Sequence, residues 1–175
     1  MSKPVHFAVG PEFLGRDGLT ETVLPWEDGL RADTGRGSFE WWYFDSHFED
    51  GSTAVIVFAT KSIISPSDPL TPNLSLTITP PEGKKLAQFA FSPPGEFVSA
   101  REQCDVRIGP SRVKWSEAGG RWVYALHAET TDLTADLTFT GLVPPWRSGA
   151  GKVFFGDPDR AGRSGAGSPC PYFAW

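Results

Sequence analysis

Phe39-Glu40-Trp41-Trp42-Tyr43-Phe44-Asp45-Ser46-His47-Phe48 is followed by Glu49-Asp50-Gly51-Ser52 and then by Thr53-Ala54-Val55-Ile56-Val57-Phe58-Ala59-Thr60-Lys61. Two runs rich in aromatic and β-branched residues flank an Asp-Gly pair, the strongest short-range signal for a β-hairpin. With Asp50 and Gly51 as the central pair of a two-residue turn, Glu40 faces Lys61, Trp42 faces Ala59, Phe44 faces Val57 and Phe48 faces Thr53 on one side of the ribbon. Trp41, Tyr43, Asp45 and His47 take the other side, opposite Thr60, Phe58, Ile56 and Ala54. Both faces then carry large apolar groups, so the reading predicts that both are covered: one by the core, the other by a ligand cavity or a second layer of protein.

Asp45 and His47 share a face with Trp41 and Tyr43, where an ionisable group is costly unless it is hydrogen-bonded or the site is wet. They are therefore the first functional candidates. The plainer alternative is that Asp45 accepts turn or strand-end hydrogen bonds and His47 is a satisfied residue near the hairpin tip. Glu40 opposite Lys61 reads as an ordinary cross-strand ion pair.

Outward from the hairpin, the 175-residue chain has room for one domain with a sizeable core. Its 13% aromatic content, with seven Trp and thirteen Phe, favours an all-β or cavity-bearing protein, and sixteen Pro and nineteen Gly interrupt any long helical period. A formal charge of −5 and a pI near 5.2 argue against a nucleic-acid or anionic-membrane surface. No apolar run reaches the roughly 18 residues of a bilayer span, and Met1 to His6 lacks the apolar core of a signal peptide, so a cytoplasmic location is expected. Cys104 and Cys170 form neither a disulfide framework nor a zinc spacing, and Cys104 shares strand parity with Val106 and Ile108 as a small core residue.

Residues 1–38 read as an irregular arm lying over the β domain, with one short packed segment at Val23, Leu24, Pro25 and Trp26. After a Ser/Pro loop, Asn73 to Thr79 alternates cleanly, with Leu74, Leu76 and Ile78 inward. Leu86 to Ser92 returns with Phe89 and Phe91 on one face. Strands follow near Cys104 to Ile108, Arg112 to Trp115, Arg121 to Glu129 and Leu133 to Leu142. In the third of these Trp122, Tyr124, Leu126 and Ala128 share the inner face, leaving His127 on the solvent side. About eight short strands joined by tight turns match the smallest barrel that holds one small ligand. An all-β fold is expected: an antiparallel lipocalin-like barrel or a closely related sandwich over 39–146. Residues 147–175 read as a Gly-rich linker and the start of a further β layer, as though the chain were an N-terminal half.

The string Phe39-Glu40-Trp41-Trp42-Tyr43-Phe44-Asp45, with its following Asp-Gly hairpin, resembles the carotenoid 1,2-hydratases (hydroxyneurosporene synthases) and the lipocalin-like Diels-Alderases of the same family. The likeness extends more weakly through Asp105 to Gly109, the Trp122 to Leu142 hairpin and Tyr172 to Trp175. It implies two consecutive lipocalin-like domains, an apolar pocket in or between them, and no metal or organic cofactor. The substrate would be a large apolar polyene or polyketide-like molecule that is hydrated or cyclised. Trp41, His47 and Phe58 would contact it, Tyr43 would donate a hydrogen bond and Asp45 would act as acid or base. The second domain, which carries a His/Asp/Trp-containing motif in such members, is absent from this sequence, so a partner domain in cis, in trans or in a homodimer is implied. Two other readings stand beside the enzyme: a module that binds a hydrophobic ligand unchanged, and a structural half whose aromatic face is an interface.

Overall fold

The computed structural model describes residues 5–62, 64–65 and 67–155; the sequence-predicted linker over 156–167 and the aromatic segment 169–175 lie outside them. Eleven strands are described: β1 (Val5–Phe7), β2 (Trp41–His47), β3 (Thr53–Ala59), β4 (Asn73–Thr79), β5 (Leu86–Phe91), β6 (Phe97–Ser99), β7 (Asp105–Ile108), β8 (Ser111–Ala118), β9 (Arg121–Glu129), β10 (Thr134–Thr140) and β11 (Val153–Phe155). Strands β2 to β5 form one antiparallel meander, β6 to β10 form a second, and β1 pairs with β11 as a separate ribbon. Among the described residues all pairings are antiparallel, and none of the sheets closes into a barrel.

Why the two meanders pack face to face follows from their period-2 patterns. The even-numbered residues Trp42, Phe44, Ile56, Phe58, Leu74 and Leu76 point from the four-stranded sheet into one core with Val106, Ile108, Val113, Tyr124, Leu126, Ala128 and Phe139 of the five-stranded sheet. Phe44 bridges them, with ring centroids 5.8 Å from Tyr124 and 5.4 Å from Phe139. Cys104 is also buried there. At one margin the sheets are tied by side chains. Gln88 on β5 accepts from Thr130 Oγ1 at 2.7 Å and the Asp132 amide at 3.1 Å, and donates to Asp132 Oδ2 at 2.7 Å.

The central hairpin differs from the sequence expectation by one residue. Trp41 pairs with Ala59, Trp42 with Phe58, Phe44 with Ile56 and His47 with Thr53. The cause is a three-residue loop. Phe48 donates to Ser52 O at 2.9 Å, Gly51 donates to Phe48 O at 2.9 Å, and Gly51 adopts φ +84°, as in a turn closed by a glycine bulge. Asp50 Oδ1 fixes this loop by accepting from the Ser52 amide at 2.8 Å and its hydroxyl at 2.6 Å. In the β8–β9 hairpin, by contrast, Gly119 and Gly120 (φ +60° and +75°) form a true two-residue turn between Ala118 and Arg121.

The register also undoes the expected ion pair. Glu40 is fully buried, and its carboxylate accepts from the amides of Arg31 (2.9 and 3.1 Å) and Ala32 (2.8 Å). Lys61, equally buried, donates to the carbonyls of Thr34, Gly35 and Asp68. Both charges hold the N-terminal arm and the β3–β4 loop rather than each other.

The arm is mostly irregular, with β1, a short helix α1 (Pro11–Arg16) and a 3₁₀ turn at Pro25–Asp28. It caps one end of the core. The Trp42 indole donates to Asp28 O at 2.9 Å, and Leu30 packs on the core cluster.

Candidate functional site

Four of the five residues singled out in the sequence come together, and one does not. Trp41, Tyr43, Asp45 and His47 line the outward face of β2, but Phe58 is 0% exposed in the core on the opposite face. The shifted register is the reason: Tyr43 faces Val57, and Phe58 faces Trp42. The outward face is not covered in the manner expected of a cavity wall. Tyr43 is 42% exposed, and Asp45 and His47 are exposed as well. They are therefore hydrated groups, not ionisable residues forced into an apolar setting. His47 Nε2 lies 4.0 Å from Asp45 Oδ2, the separation of a loose surface pair.

Pairing across the sheet arranges this face in rows. Trp41, Ala59, Asn73 and Phe91 form one row; Tyr43, Val57, Ser75 and Phe89 the next; Asp45, Val55, Thr77 and Ala87 the third. Aromatic rings thus border the face on β2 and β5, with Phe89 65% and Phe91 73% exposed, while the two central strands carry small or short side chains. Three interstrand spacings separate the borders, about 14 Å. The result is a shallow trough with aromatic banks, a Tyr43 hydroxyl on one bank and the Asp45–His47 pair beyond it. Trp41 is itself held flat by stacking on Phe39, with centroids 5.2 Å apart and an interplanar angle of 9°.

On the other side of β2 lies a buried polar cluster that the sequence reading passed over. Asp28 is buried beside the Tyr124 hydroxyl, the Cys104 thiol and Glu40. Burial pushes its carboxyl up to about 7, with Glu40 adding to the rise, while hydrogen bonds from Tyr124 and Cys104 oppose it. Its neighbour Glu27 accepts from Arg147 Nε at 2.6 Å, both side chains being buried, and from the Leu24 amide at 3.0 Å; Arg147 Nη2 also donates to Thr20 O. The signal for this cluster was present in the sequence. Glu27 and Asp28 directly follow the apolar segment Val23 to Trp26, and a 3₁₀ turn there carries both acids inward. Asp28 is buried, and its contacts with Tyr124, Cys104 and the Trp42 indole hold the arm on the core.

His127 lies on the outward face of β9, as its parity predicts, and bonds Asp136 Oδ1 at 2.8 Å through Nδ1 and Glu129 Oε2 at 3.3 Å through Nε2. Among the described residues no group of three or more His, Cys, Asp or Glu is placed to hold a metal ion, and no helix is long and apolar enough to cross a membrane. In comparisons with protein-family models, curated proteins and solved structures, none matches the chain.

Proposed function

We propose that this chain holds a long, flat apolar molecule of polyene or polyketide type along the outer trough of the four-stranded sheet. Under a covering layer of protein, it acts there as a cofactor-independent cyclase, of the [4+2] cycloaddition type, or as a hydratase. The observation that carries the reading is the set of aromatic banks formed by Trp41, Tyr43, Phe89 and Phe91 around a floor of small side chains. A conjugated chain laid across that floor would stack on the banks, and the Tyr43 hydroxyl would meet a carbonyl or developing charge on it. For a cycloaddition, holding the two ends in reacting geometry is worth on the order of 7 to 11 kcal/mol. For a hydration, Asp45 beside His47 would pass a proton to one alkene carbon while water adds to the other, and would take back the proton that the added water sheds. The resemblance of the hairpin string to carotenoid 1,2-hydratases supports the same substrate class and the two-domain arrangement.

A second reading, a carrier that binds the same class of ligand without changing it, is favoured by the exposure of Asp45 and His47, which leaves their proton chemistry open to water. The test is native mass spectrometry of the chain with a panel of polyenes and polyketide-like compounds, followed by analysis of the released ligand. An isomer or hydrate that disappears with Tyr43→Phe or Asp45→Asn supports the enzyme. Ligand returned unchanged supports the carrier, and a panel that gives no complex at all refutes both.

A further inference from the structure

A separate cleft of about 240 Å³ opens where the arm meets the β6–β7 connection and the residue preceding β11. Asp17, Trp26, Leu30, Arg31, Arg101 and Lys152 line it. Among the described residues that line it, three cations stand against one carboxylate, in a chain whose net charge is −5. The one carboxylate is already shared: Asp17 Oδ2 is 3.1 Å from Arg31 Nη2 and 2.6 Å from Lys152 Nζ.

Arg31 is the group that asks for a ligand. Its side chain is 7% exposed, yet Nη1 has no hydrogen-bond partner among the described residues. A buried charged donor left unpaired is costly. Burial lowers the pKa of the guanidinium from its ordinary value, against the raising influence of Asp17, Glu40 and Glu27. Neither glutamate is at liberty to pair with Nη1: Glu27 holds Arg147 and the Leu24 amide, and Glu40 holds the Arg31 and Ala32 amides. The walls are equally specific. The guanidinium lies 5.7 Å from the Trp26 ring, and Arg101 Nη1 donates to Leu30 O at 3.2 Å. The rim is fixed because Leu30 donates to Ala100 O at 2.7 Å, and because a Cβ on Gly29 would come within 2.5 Å of the Arg101 carbonyl oxygen.

We propose that this cleft binds a small organic anion, a carboxylate or phosphate borne on a single flat ring. The oxyanion accepts from the Arg31 fork, Arg101 and Lys152 supply the remaining charge, and the ring lies against Trp26 and Leu30. A volume below the roughly 300 to 1,000 Å³ of sites for drug-sized ligands restricts the occupant to one ring and one acidic group. The site is independent of the sheet trough.

Isothermal titration of the whole chain with benzoate, phenyl phosphate and neutral benzyl alcohol, in low-salt buffer free of phosphate, tests it. Both anions should saturate one site at about 10 mM or below, since a Kd near 1 mM suffices for detection, and benzyl alcohol should not. The tighter of the two anions identifies carboxylate or phosphate as the natural group. Arg101→Gln, at an exposed side chain that leaves the Asp17 pairing intact, should weaken binding about tenfold or more. Arg31→Lys, which keeps the charge and loses the fork, should do the same. The proposal is overturned if neither anion binds, if benzyl alcohol binds as well as benzoate, or if Arg101→Gln leaves the affinity of a correctly folded chain unchanged.

Discussion

Replacing Asp28 with Asn should remove a pH dependence of stability that the native chain carries between about pH 4 and pH 7. The carboxyl titrates near 3.8 when the chain is unfolded and near 7 when folded, because burial beside Glu40 outweighs the hydrogen bonds from Tyr124 and Cys104. Within that window the folded chain keeps a proton that the unfolded chain has lost, so stability falls as pH rises. The contribution is fully present below pH 3.8 and gone once the pH has passed the folded value. At about 1.4 kcal/mol for each pH unit, the whole span amounts to roughly 4 kcal/mol. That is a large share of the roughly 5 to 15 kcal/mol by which a domain is stable. Urea denaturation followed by tryptophan fluorescence between pH 4.5 and 8.5 should show the native midpoint dropping, and the Asp28→Asn midpoint nearly flat by comparison. His127 works in the same direction at higher pH: its hydrogen bond to Asp136 raises its pKa, so its stabilisation is lost above the ordinary histidine range. The difference between the two chains isolates Asp28, since both retain His127. Parallel slopes for the two chains from pH 5 to 7 would refute the reasoning, because Asp28 would then be ionised in the folded state.

Other substitutions separate the core, the arm and the turn. Phe58→Ala, at a wholly buried ring, should cost about 3 to 5 kcal/mol in denaturant titrations; a pocket-lining residue would cost far less and alter ligand binding instead. Arg147→Met should destabilise by about 3 to 5 kcal/mol by stranding the buried Glu27 carboxylate, and Glu27→Gln added to it should recover part of the loss in a double-mutant cycle. Gly51→Ala should cost on the order of 1 kcal/mol through its φ of +84°, since its Cβ would meet only ordinary contacts with Pro81; an unchanged midpoint would mean that the loop adopts another turn.

Strand positions and inner faces were legible wherever the period-2 pattern was clean. Leu74 and Leu76 on β4, and Tyr124, Leu126 and Ala128 on β9, lie where their alternation puts them. Register was not, because Asp50-Gly51 serves both two-residue and three-residue loops, and a glycine bulge moves the partner by one position. That single step took Phe58 out of the candidate site and into the core. Closure was also beyond the pattern, since a meander that ends in an open sandwich has the same alternation as one that closes. Trp41, Tyr43, Asp45 and His47 share a face as expected because they lie on one strand, and parity within a strand does not depend on register. Its second bank, Phe89 and Phe91, was visible as a shared face but could be set opposite Tyr43 only through β3 and β4. Glu27 is marked by its place after the apolar segment Val23 to Trp26, but its partner Arg147 lies 120 residues away, and no local pattern pairs the two.

The most direct test of the trough as the ligand site is the affinity of one conjugated polyene for the native chain and for a Tyr43→Ser/Phe89→Ser variant, with Val98→Ser, an exposed apolar position on the other sheet, as control. Losing the stacking area of two aromatic side chains should weaken binding by about tenfold or more, with the control unaffected and all three chains equally folded by circular dichroism. Equal affinity for the double variant and the native chain would contradict the account and place the ligand elsewhere.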